Sequence, residues 1–160
     1  RFTLMEVLIR QATKEEYSNV IELTWKTFLE FEAPDYSQQG INQFKKDIVD
    51  STEFKNKCLS GENIIFGAFI NNKLVGILAL RNVNHICLAF VSKEYHRKGI
   101  GSELFKYAVN YCKSVSPSID KITVNSSPFA IPFYKSLGFS GDSEEQVING
   151  IRFTPMTCKV

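Results

Sequence analysis

The chain has 160 residues, 44% of them hydrophobic, with 19 basic and 17 acidic side chains and a formal net charge of +2. This length and apolar content suit a single globular domain with a substantial core. The nearly balanced charge excludes a global attraction to nucleic acid or to a membrane surface, so any electrostatic role must be local. Because no apolar run approaches the roughly 18 residues that a bilayer requires, we predict a cytoplasmic protein that binds neither nucleic acid nor membrane.

The first residues and the cysteines add two further expectations. Residues 1–4 lack the apolar core of a signal peptide, so we interpret them as an extension or a misassigned start ahead of a domain that occupies residues 5–160. Four cysteines lie far apart and form no CxxC pair, a spacing typical of reduced, buried thiols rather than of a disulfide or a zinc site. We therefore expect no bound metal. The four are Cys58, Cys87, Cys112 and Cys158.

A strand and two helices are predicted in the first third of the chain. The strand covers Met5–Arg10, and an amphipathic helix follows over residues 12–31. Thr13 and Glu16 can form a capping box at the start of this helix, because the Glu side chain can reach back to the Thr backbone N–H. A second helix is predicted over Ser37–Val49.

A meander of three strands is predicted next. Two apolar runs, residues 63–70 and 73–80, flank Asn71-Asn72, a pair that tolerates positive φ and therefore favours a hairpin turn. The third strand covers His85–Val91. A long helix then follows over Ile100–Val115, with apolar residues at three- and four-residue steps.

The last third of the chain completes an α/β pattern. Lys121–Ser126 is predicted as a strand, residues 129–139 contain a short helix that Gly138 stops, and residues 145–158 form a hairpin that turns at Asn149-Gly150. This order of elements indicates helices that cover a mixed sheet.

The junction between the third meander strand and the long helix carries the clearest chemical pattern. The first N–H groups of a helix have no intrahelical partner and lie at its positive end, so they can bind an anion. Gly99 and Gly101 let the backbone approach a ligand closely, and Arg97 and Lys98 add positive charge. This arrangement suits a phosphate or diphosphate, although glycine at a helix start also occurs for purely structural reasons.

Two familiar nucleotide-binding motifs are absent from this junction. A dinucleotide-binding fingerprint would need a third glycine where Leu104 stands, and no GxxxxGK[ST] run occurs in the chain.

Two longer stretches resemble the GNAT superfamily, the acyl-CoA-dependent N-acyltransferases. The stretch "FVSKEYHRKGIGSELF" is similar to motif A, with His96 to Gly101 in the place of the signature [QR]-x-x-G-x-[GA]. The stretch "NSSPFAIPFYKSLGF" (Asn125–Phe139) is similar to motif B. His96 departs from the usual Gln or Arg, and Ser127 stands where many members have Asn. The resemblance implies an α/β fold with a mixed, mostly antiparallel twisted sheet, a splayed central strand pair and about four flanking helices.

The resemblance also implies a ligand and the residues that hold it. The co-substrate would be acetyl-CoA, with its pantetheine arm in the gap between the splayed strands and its diphosphate on the loop amides. The implied function is transfer of an acetyl group to a primary amine of a small molecule or peptide by direct attack on the thioester. The cofactor-binding residues would be Phe90, Val91, His96, Arg97, Lys98, Gly99, Ile100, Gly101, Ser102 and Asn125.

Two residues are candidates for proton transfer. Tyr134 occupies the position at which many family members place a tyrosine beside the thioester sulfur, and a phenol of ordinary pKa about 10 can protonate a thiolate. His85 has the spacing from the loop that a glutamate general base has in the histone-modifying branch, and a histidine that titrates near 6.5 could replace it. Packing is the alternative role for Tyr134, and a plain strand-edge role is the alternative for His85. If His85 is not the base, the base is a residue of the loop Glu32–Tyr36 or the reaction uses no dedicated base.

The acceptor is less defined by the sequence. Phe28, Glu32 and Tyr36 lie in a region of aromatic and acidic character that suits an amine, and we expect them to bind the substrate. Phe28 can equally be a core residue. A homodimer is left open. An acyl-CoA-binding module without catalysis is the alternative function, and a nucleotide-binding protein unrelated to acyl transfer is a third hypothesis.

Overall fold

The computed structural model describes residues 6–160. Within them the chain forms eight strands and five α-helices. The strands are β1 (Leu8–Gln11), β2 (Ile64–Ile70), β3 (Lys73–Arg81), β4 (His85–Val91), β5 (Lys121–Ser126), β6 (Ser140–Gly141), β7 (Gln146–Ile148) and β8 (Ile151–Lys159). The helices are α1 (Tyr17–Phe31), α2 (Gln38–Phe44), α3 (Thr52–Ser60), α4 (Ile100–Val115) and α5 (Ile131–Ser136).

One central strand pair separates along its length. The strands lie in the order β1-β2-β3-β4-β5-β8-β6, with β7 paired to β8. The β4–β5 pair is parallel and the other pairs are antiparallel. β4 and β5 pair only at His85↔Thr123 and Ile86↔Val124, so the two strands diverge beyond these residues. The predicted mixed, mostly antiparallel sheet with a splayed central pair is confirmed.

A bulge in β4 lies where this separation begins. Leu80 of β3 pairs with Ile86 and Ala79 pairs with Leu88, which leaves Cys87 as the extra residue. Ile86 packs into the core on the α4 side of the sheet, whereas Leu88 packs on the α1 side. The extra residue therefore reverses the side-chain alternation of β4 and bends the strand.

Two hydrophobic cores cover the two faces of the sheet. On one face, α4 buries Ile100, Leu104, Ala108 and Cys112, at four-residue steps, against the sheet. On the other face, α1 to α3 contribute the second core. The predicted bounds of α4 and β4 agree with the structure, and both Asn71-Asn72 and Asn149-Gly150 adopt positive φ at their turns. Within residues 6–160, no helix has the length and apolar character needed to cross a membrane.

The N-terminal third differs from the prediction in three places. The first strand is Leu8–Gln11 rather than Met5–Arg10, and Met5 and residues 1–4 lie outside the described residues. The second helix is α2, which continues to Val49 as a π-helical turn. The additional helix α3 was not predicted because Phe54 is its only buried residue, although Ser51 caps its start.

Candidate active site

The loop before α4 has the backbone shape of an anion-binding turn. Arg97 and Gly99 both adopt left-handed conformations, with φ of 60° and 78°. A side chain at Gly99 would meet no atom within 4 Å, so the backbone there borders open space. Residues 97–99 are exposed and lead directly into the first turn of α4. Alternating backbone conformations that expose successive N–H groups at a helix start form a concave site for anions.

Gly101 serves a different purpose from Gly99. It lies in the first turn of α4 and its φ is not positive. A Cβ at Gly101 would lie 2.8 Å from the ring of Phe133 on α5. The missing side chain therefore allows α4 and α5 to pack closely, whereas the sequence suggested close approach of a ligand at both glycines.

His96 fixes the loop to the end of β4. Its Nε2 lies 2.6 Å from the Val91 carbonyl oxygen, which accepts the hydrogen bond. The imidazole also lies against the Phe31 ring, with 4.6 Å between centroids, and Phe31 in turn stacks on Phe129. The Val91 carbonyl is thus engaged within the protein, and the three aromatic rings connect the loop after β4 with the loop after β5.

Two predicted loop residues can contribute only part of their structure to a ligand. Ile100 is 2% exposed and belongs to the core, so only its backbone N–H can face an anion. Ser102 is half-buried in the first turn of α4.

A cavity of about 810 Å³ occupies the region where β4 and β5 diverge. Six of the predicted site residues line it, which brings the α1 end, both splayed strands and α5 around one space. These residues are Glu32, Tyr36, His85, Phe90, Asn125 and Tyr134. Val91 and the loop residues 96–102 are not among the lining residues of this cavity.

Tyr134 is buried on α5 and lines the cavity. The residue is 4% exposed, and no group among residues 6–160 hydrogen-bonds its hydroxyl. Burial raises the pKa of Tyr134, and the charge of nearby Glu32 acts in the same direction. The phenol therefore keeps its proton throughout the physiological pH range and can act only as a donor or as a neutral acceptor.

His85 is neutral at physiological pH. Its Nδ1 lies 2.8 Å from the Thr123 hydroxyl, at the end of the gap where β4 and β5 still pair. Burial lowers the pKa of His85 to about 4, and Arg81 acts in the same direction. The pKa of His85 therefore lies below the value near 6.5 that the sequence suggested, and the imidazole is a weaker base than expected.

The pKa of Glu32 is raised, whereas that of His85 is lowered. It ends α1, where its backbone N–H donates to the Phe28 carbonyl at 2.9 Å. Burial raises the pKa of the Glu32 carboxyl to about 7, whereas a hydrogen bond with Ser127 acts in the opposite direction. This carboxyl, expected to bind the substrate and lying in the loop that was the alternative source of a base, is therefore half-protonated near neutral pH.

The two aromatic residues of the predicted substrate region differ in access. Tyr36 lines the cavity, and its hydroxyl donates to the Arg152 carbonyl at 3.1 Å. Phe28 is fully buried and stacks on Phe44, with 3.9 Å between ring centroids. Phe28 has no surface in the cavity, so it supports the aromatic wall rather than contacting a substrate directly.

The β7–β8 hairpin is a wall of the cavity that the sequence did not indicate. Its residues Ile148, Ile151 and Phe153 line the space. A Cβ at Gly40 of α2 would clash with the backbone of Gly150 at the hairpin turn, so the two backbones touch. A glycine inside a predicted helix was the available signal, because such a glycine is costly unless packing requires it.

Together, the splayed strands, the left-handed loop at the start of α4 and the tyrosine-lined cavity define the architecture of an acyl-CoA-dependent acyltransferase. Residues 32–160 match a family model described as an acetyltransferase (GNAT) domain. The chain belongs to the GNAT acetyltransferase family.

Relatives and solved structures agree with this family. The chain is 29% identical over 153 residues to the uncharacterized N-acetyltransferase MJ1207 of Methanocaldococcus jannaschii. The aligned region covers 89% of this chain and 63% of that relative. The chain thus spans less than two thirds of that relative's length.

Two solved structures share the fold at low sequence identity. A GCN5-related N-acetyltransferase from Rhodopseudomonas palustris has a TM-score of 0.83 at 20% identity, and the match covers all of both chains. The PaiA N-acetyltransferase from Thermoplasma acidophilum, solved in complex with coenzyme A, has a TM-score of 0.78 at 21% identity over 98% of this chain and all of that one.

Proposed function

We propose that this protein transfers an acetyl group from acetyl-CoA to a primary amine of a small molecule or peptide, by direct attack of the amine on the thioester. The observation that carries the proposal is the position of Tyr134, a buried tyrosine that lines the cavity opened by the separation of β4 and β5 and whose hydroxyl has no hydrogen-bond partner among residues 6–160. A buried donor placed beside unpaired strand edges suits a reaction in which a thiolate leaves. The coenzyme A complex of the PaiA structure supports the choice of co-substrate.

The residues around the gap suit the parts of acetyl-CoA. The backbone N–H groups from Arg97 to Ser102 would hold the diphosphate, with Lys98 adding charge at the rim. Phe90 and Asn125 lie on the two diverging strands and would contact the pantetheine arm. Val91 can contribute less than expected, because its carbonyl already accepts from His96.

The protein's own contribution to the chemistry is positioning and polarisation. Bound acetyl-CoA supplies the thioester carbonyl, and a fixed geometry for both reactants contributes a large part of the acceleration of a bimolecular step. A backbone N–H within Leu88–Phe90 would polarise the carbonyl. Because the pKa of Tyr134 is raised, we assign its hydroxyl to a hydrogen bond with the departing sulfur more than to complete proton transfer. His85 remains a candidate base, with the low pKa described above.

The experiment that tests this function combines binding and turnover. Isothermal titration with acetyl-CoA, ATP and NAD identifies the ligand class, and a thiol-release assay over a panel of primary amines tests transfer. We expect acetyl-CoA to bind in preference to both nucleotides, and at least one amine to be acetylated. Tight acetyl-CoA binding without turnover of any amine would favour the non-catalytic module, and preference for ATP or NAD would favour the nucleotide-binding hypothesis.

A further inference from the structure

We propose that Glu32 is a catalytic residue that accepts the proton of the attacking amine. This inference rests on the proposed acetyl transfer and names a proton acceptor within the same site. Three features carry it: the position of Glu32 at a rigid helix end, its place in the cavity that Tyr134 also lines, and the absence of a salt bridge to it among residues 6–160.

The backbone around Glu32 is held on both sides. Its N–H donates to the Phe28 carbonyl at 2.9 Å, and its own carbonyl accepts from the Asp35 N–H at 3.0 Å. The preceding Phe31 stacks between His96 and Phe129, and the following Ala33 is buried. A fixed backbone gives the Glu32 carboxyl a defined point of attachment beside the cavity, as a group that transfers protons requires.

Glu32, at the end of α1, lines the same cavity as Ser127, in the loop that follows β5, and Tyr134, on α5. Its charge contributes to the raised pKa of Tyr134. His85 is not among the groups that affect Tyr134. Since Tyr134 faces the departing sulfur in the proposed reaction, Glu32 lies near the reacting end of the cavity, whereas His85 lies where the strands still pair.

No cation compensates the Glu32 carboxyl. Among residues 6–160 it forms no salt bridge with a Lys, Arg or His side chain. The titratable or charged groups near it are Asp35, Tyr36, Cys87, His85, Tyr134 and Arg152, and the cavity is also lined by Lys46, Lys57, Arg81, Asp47, Glu53 and Glu62. Arg152 is bound to Glu145 and to the Asp35 carbonyl, and Lys57 forms salt bridges with Glu53 and Glu62.

This environment gives Glu32 the strength of a base suited to neutral pH. Burial raises its pKa to about 7, with the charge of Asp35 acting in the same direction. The negative end of the α1 dipole also disfavours the ionised carboxyl. A general base is most effective when its pKa lies near the working pH, and Glu32 meets this condition better than His85, whose pKa is about 4.

The proton balance of the step is complete with these groups. An ammonium N–H bond breaks and its proton passes to a Glu32 carboxylate oxygen, which frees the nitrogen lone pair. The C–N bond forms and the C–S bond breaks while the sulfur accepts a hydrogen bond from Tyr134. The second nitrogen proton ends on the sulfur, and Glu32 releases its proton to solvent.

The test compares Glu32→Gln with a matched control, Glu30→Gln, which changes an exposed carboxyl on the same helix. With the most active amine of the panel, we expect wild-type kcat/KM to rise with pH through a limb near 7. Glu32→Gln should lose that limb and lower kcat by roughly 10²–10⁴-fold, with acetyl-CoA affinity retained. Glu30→Gln should keep the limb, and Glu32→Asp should keep it at a reduced rate.

A second measurement does not depend on turnover. Carboxyl ¹³C NMR of glutamate-labelled protein should show one signal that titrates near pH 7 and is missing from Glu32→Gln. Titration of that signal at the ordinary glutamate value, or an unchanged pH limb in Glu32→Gln, would overturn the proposal while leaving acetyl transfer intact. A higher KM with unchanged kcat in this variant would also overturn it, because Glu32 would then only bind the substrate. Failure of the wild type to acetylate any amine would remove the proposed function and this step with it.

Discussion

Two residues that line the cavity, Tyr134 and Glu32, have a raised pKa because they are buried, so each holds its proton to a higher pH than it would in water. Tyr134 has no hydrogen-bond partner among residues 6–160, and Glu32 has no cation. The phenol is neutral at every physiological pH, whereas the carboxyl changes its charge near pH 7. A small change of local polarity therefore alters proton transfer at Glu32 far more than at Tyr134.

Replacing Tyr134 with Phe removes only the hydroxyl and keeps the ring that packs on Phe133 and Phe139. If the hydroxyl stabilises the leaving sulfur, kcat should fall by roughly 10²–10⁴-fold while acetyl-CoA affinity stays nearly unchanged. Steady-state kinetics and calorimetric titration provide the two numbers. A Tyr134→Phe enzyme with wild-type kcat would return the residue to a packing role.

Gly99→Ala tests the backbone shape of the loop. The change places a side chain on a left-handed residue without any clash, so the loop must carry strain of roughly 1–2 kcal/mol or move. We expect acetyl-CoA affinity to fall by about tenfold, since about 1.4 kcal/mol corresponds to that factor. Gly61→Ala is the matched control, because Gly61 is also left-handed and in open space but ends α3. An equal loss of acetyl-CoA affinity in both variants would show that the loop before α4 has no specific role in binding the coenzyme.

Gly101→Ala should behave differently from Gly99→Ala. Its Cβ would press on Phe133 and displace α5, which carries Tyr134. Lower thermal stability and lower kcat are therefore expected together, measured by thermal denaturation and by the thiol-release assay. A variant that loses only acetyl-CoA affinity would show that Gly101 faces the ligand after all.

At the scale of elements, the acceptor side of the cavity depends on one helix–hairpin contact. Gly40 of α2 and Gly150 of the β7–β8 turn touch through their backbones, and the Tyr36 hydroxyl bonds to β8 nearby. The loop after α1 and the hairpin consequently form one wall. Substrate specificity should change when this contact changes, even though neither glycine bears a functional group.

Gly40→Ala tests the contact between Gly40 and Gly150, because the contact decides whether the change stabilises or destabilises the protein. Alanine favours a helix over glycine by about 1 kcal/mol, so without the hairpin the change would stabilise α2. The clash with Gly150 should reverse this sign, lowering the melting temperature and raising KM for the amine with little change in acetyl-CoA affinity. Gln39→Ala, at an exposed position of the same helix, is the control. Increased stability in Gly40→Ala would contradict the contact.

The sequence predicted some elements better than others, because only some of them carry a local apolar pattern of their own. α4 and β4 were predicted with their bounds because each carries its own apolar stripe. α3 was missed because it buries one side chain and depends on its caps, Ser51 and Gly61. The raised pKa of Glu32 comes from burial in a cavity whose other walls are distant in the chain, such as Asn125 and Tyr134, so no local pattern could indicate it.

For the whole molecule, two cavity residues give opposing contributions to stability as the pH changes. Between about 4.5 and 7, folded Glu32 holds a proton that the unfolded chain has lost, so its contribution falls as the pH rises. Between about 4 and 6.5, the unfolded chain holds a proton that folded His85 does not, so its contribution rises with pH.

Comparison of each variant with wild type should reveal the contribution of the residue that it replaces. Relative to wild type, the free energy of unfolding of Glu32→Gln should increase as the pH rises through the first window, and that of His85→Gln should decrease through the second. Urea denaturation at half-unit pH steps measures both differences. Parallel curves for wild type and either variant would mean that the corresponding group titrates normally in the folded protein.

The separation of β4 and β5 also affects how the protein behaves without a ligand. Beyond Ile86 and Val124, two strand edges lie in the middle of the sheet with backbone groups that the other strand does not satisfy. Unpaired edges invite strand addition by other chains. A bound ligand that occupies the gap would block this route and shift the equilibrium toward the monomeric fold by mass action. Cells depleted of acyl-CoA should therefore contain more aggregated protein, so the supply of co-substrate would set the amount of usable protein as well as its rate.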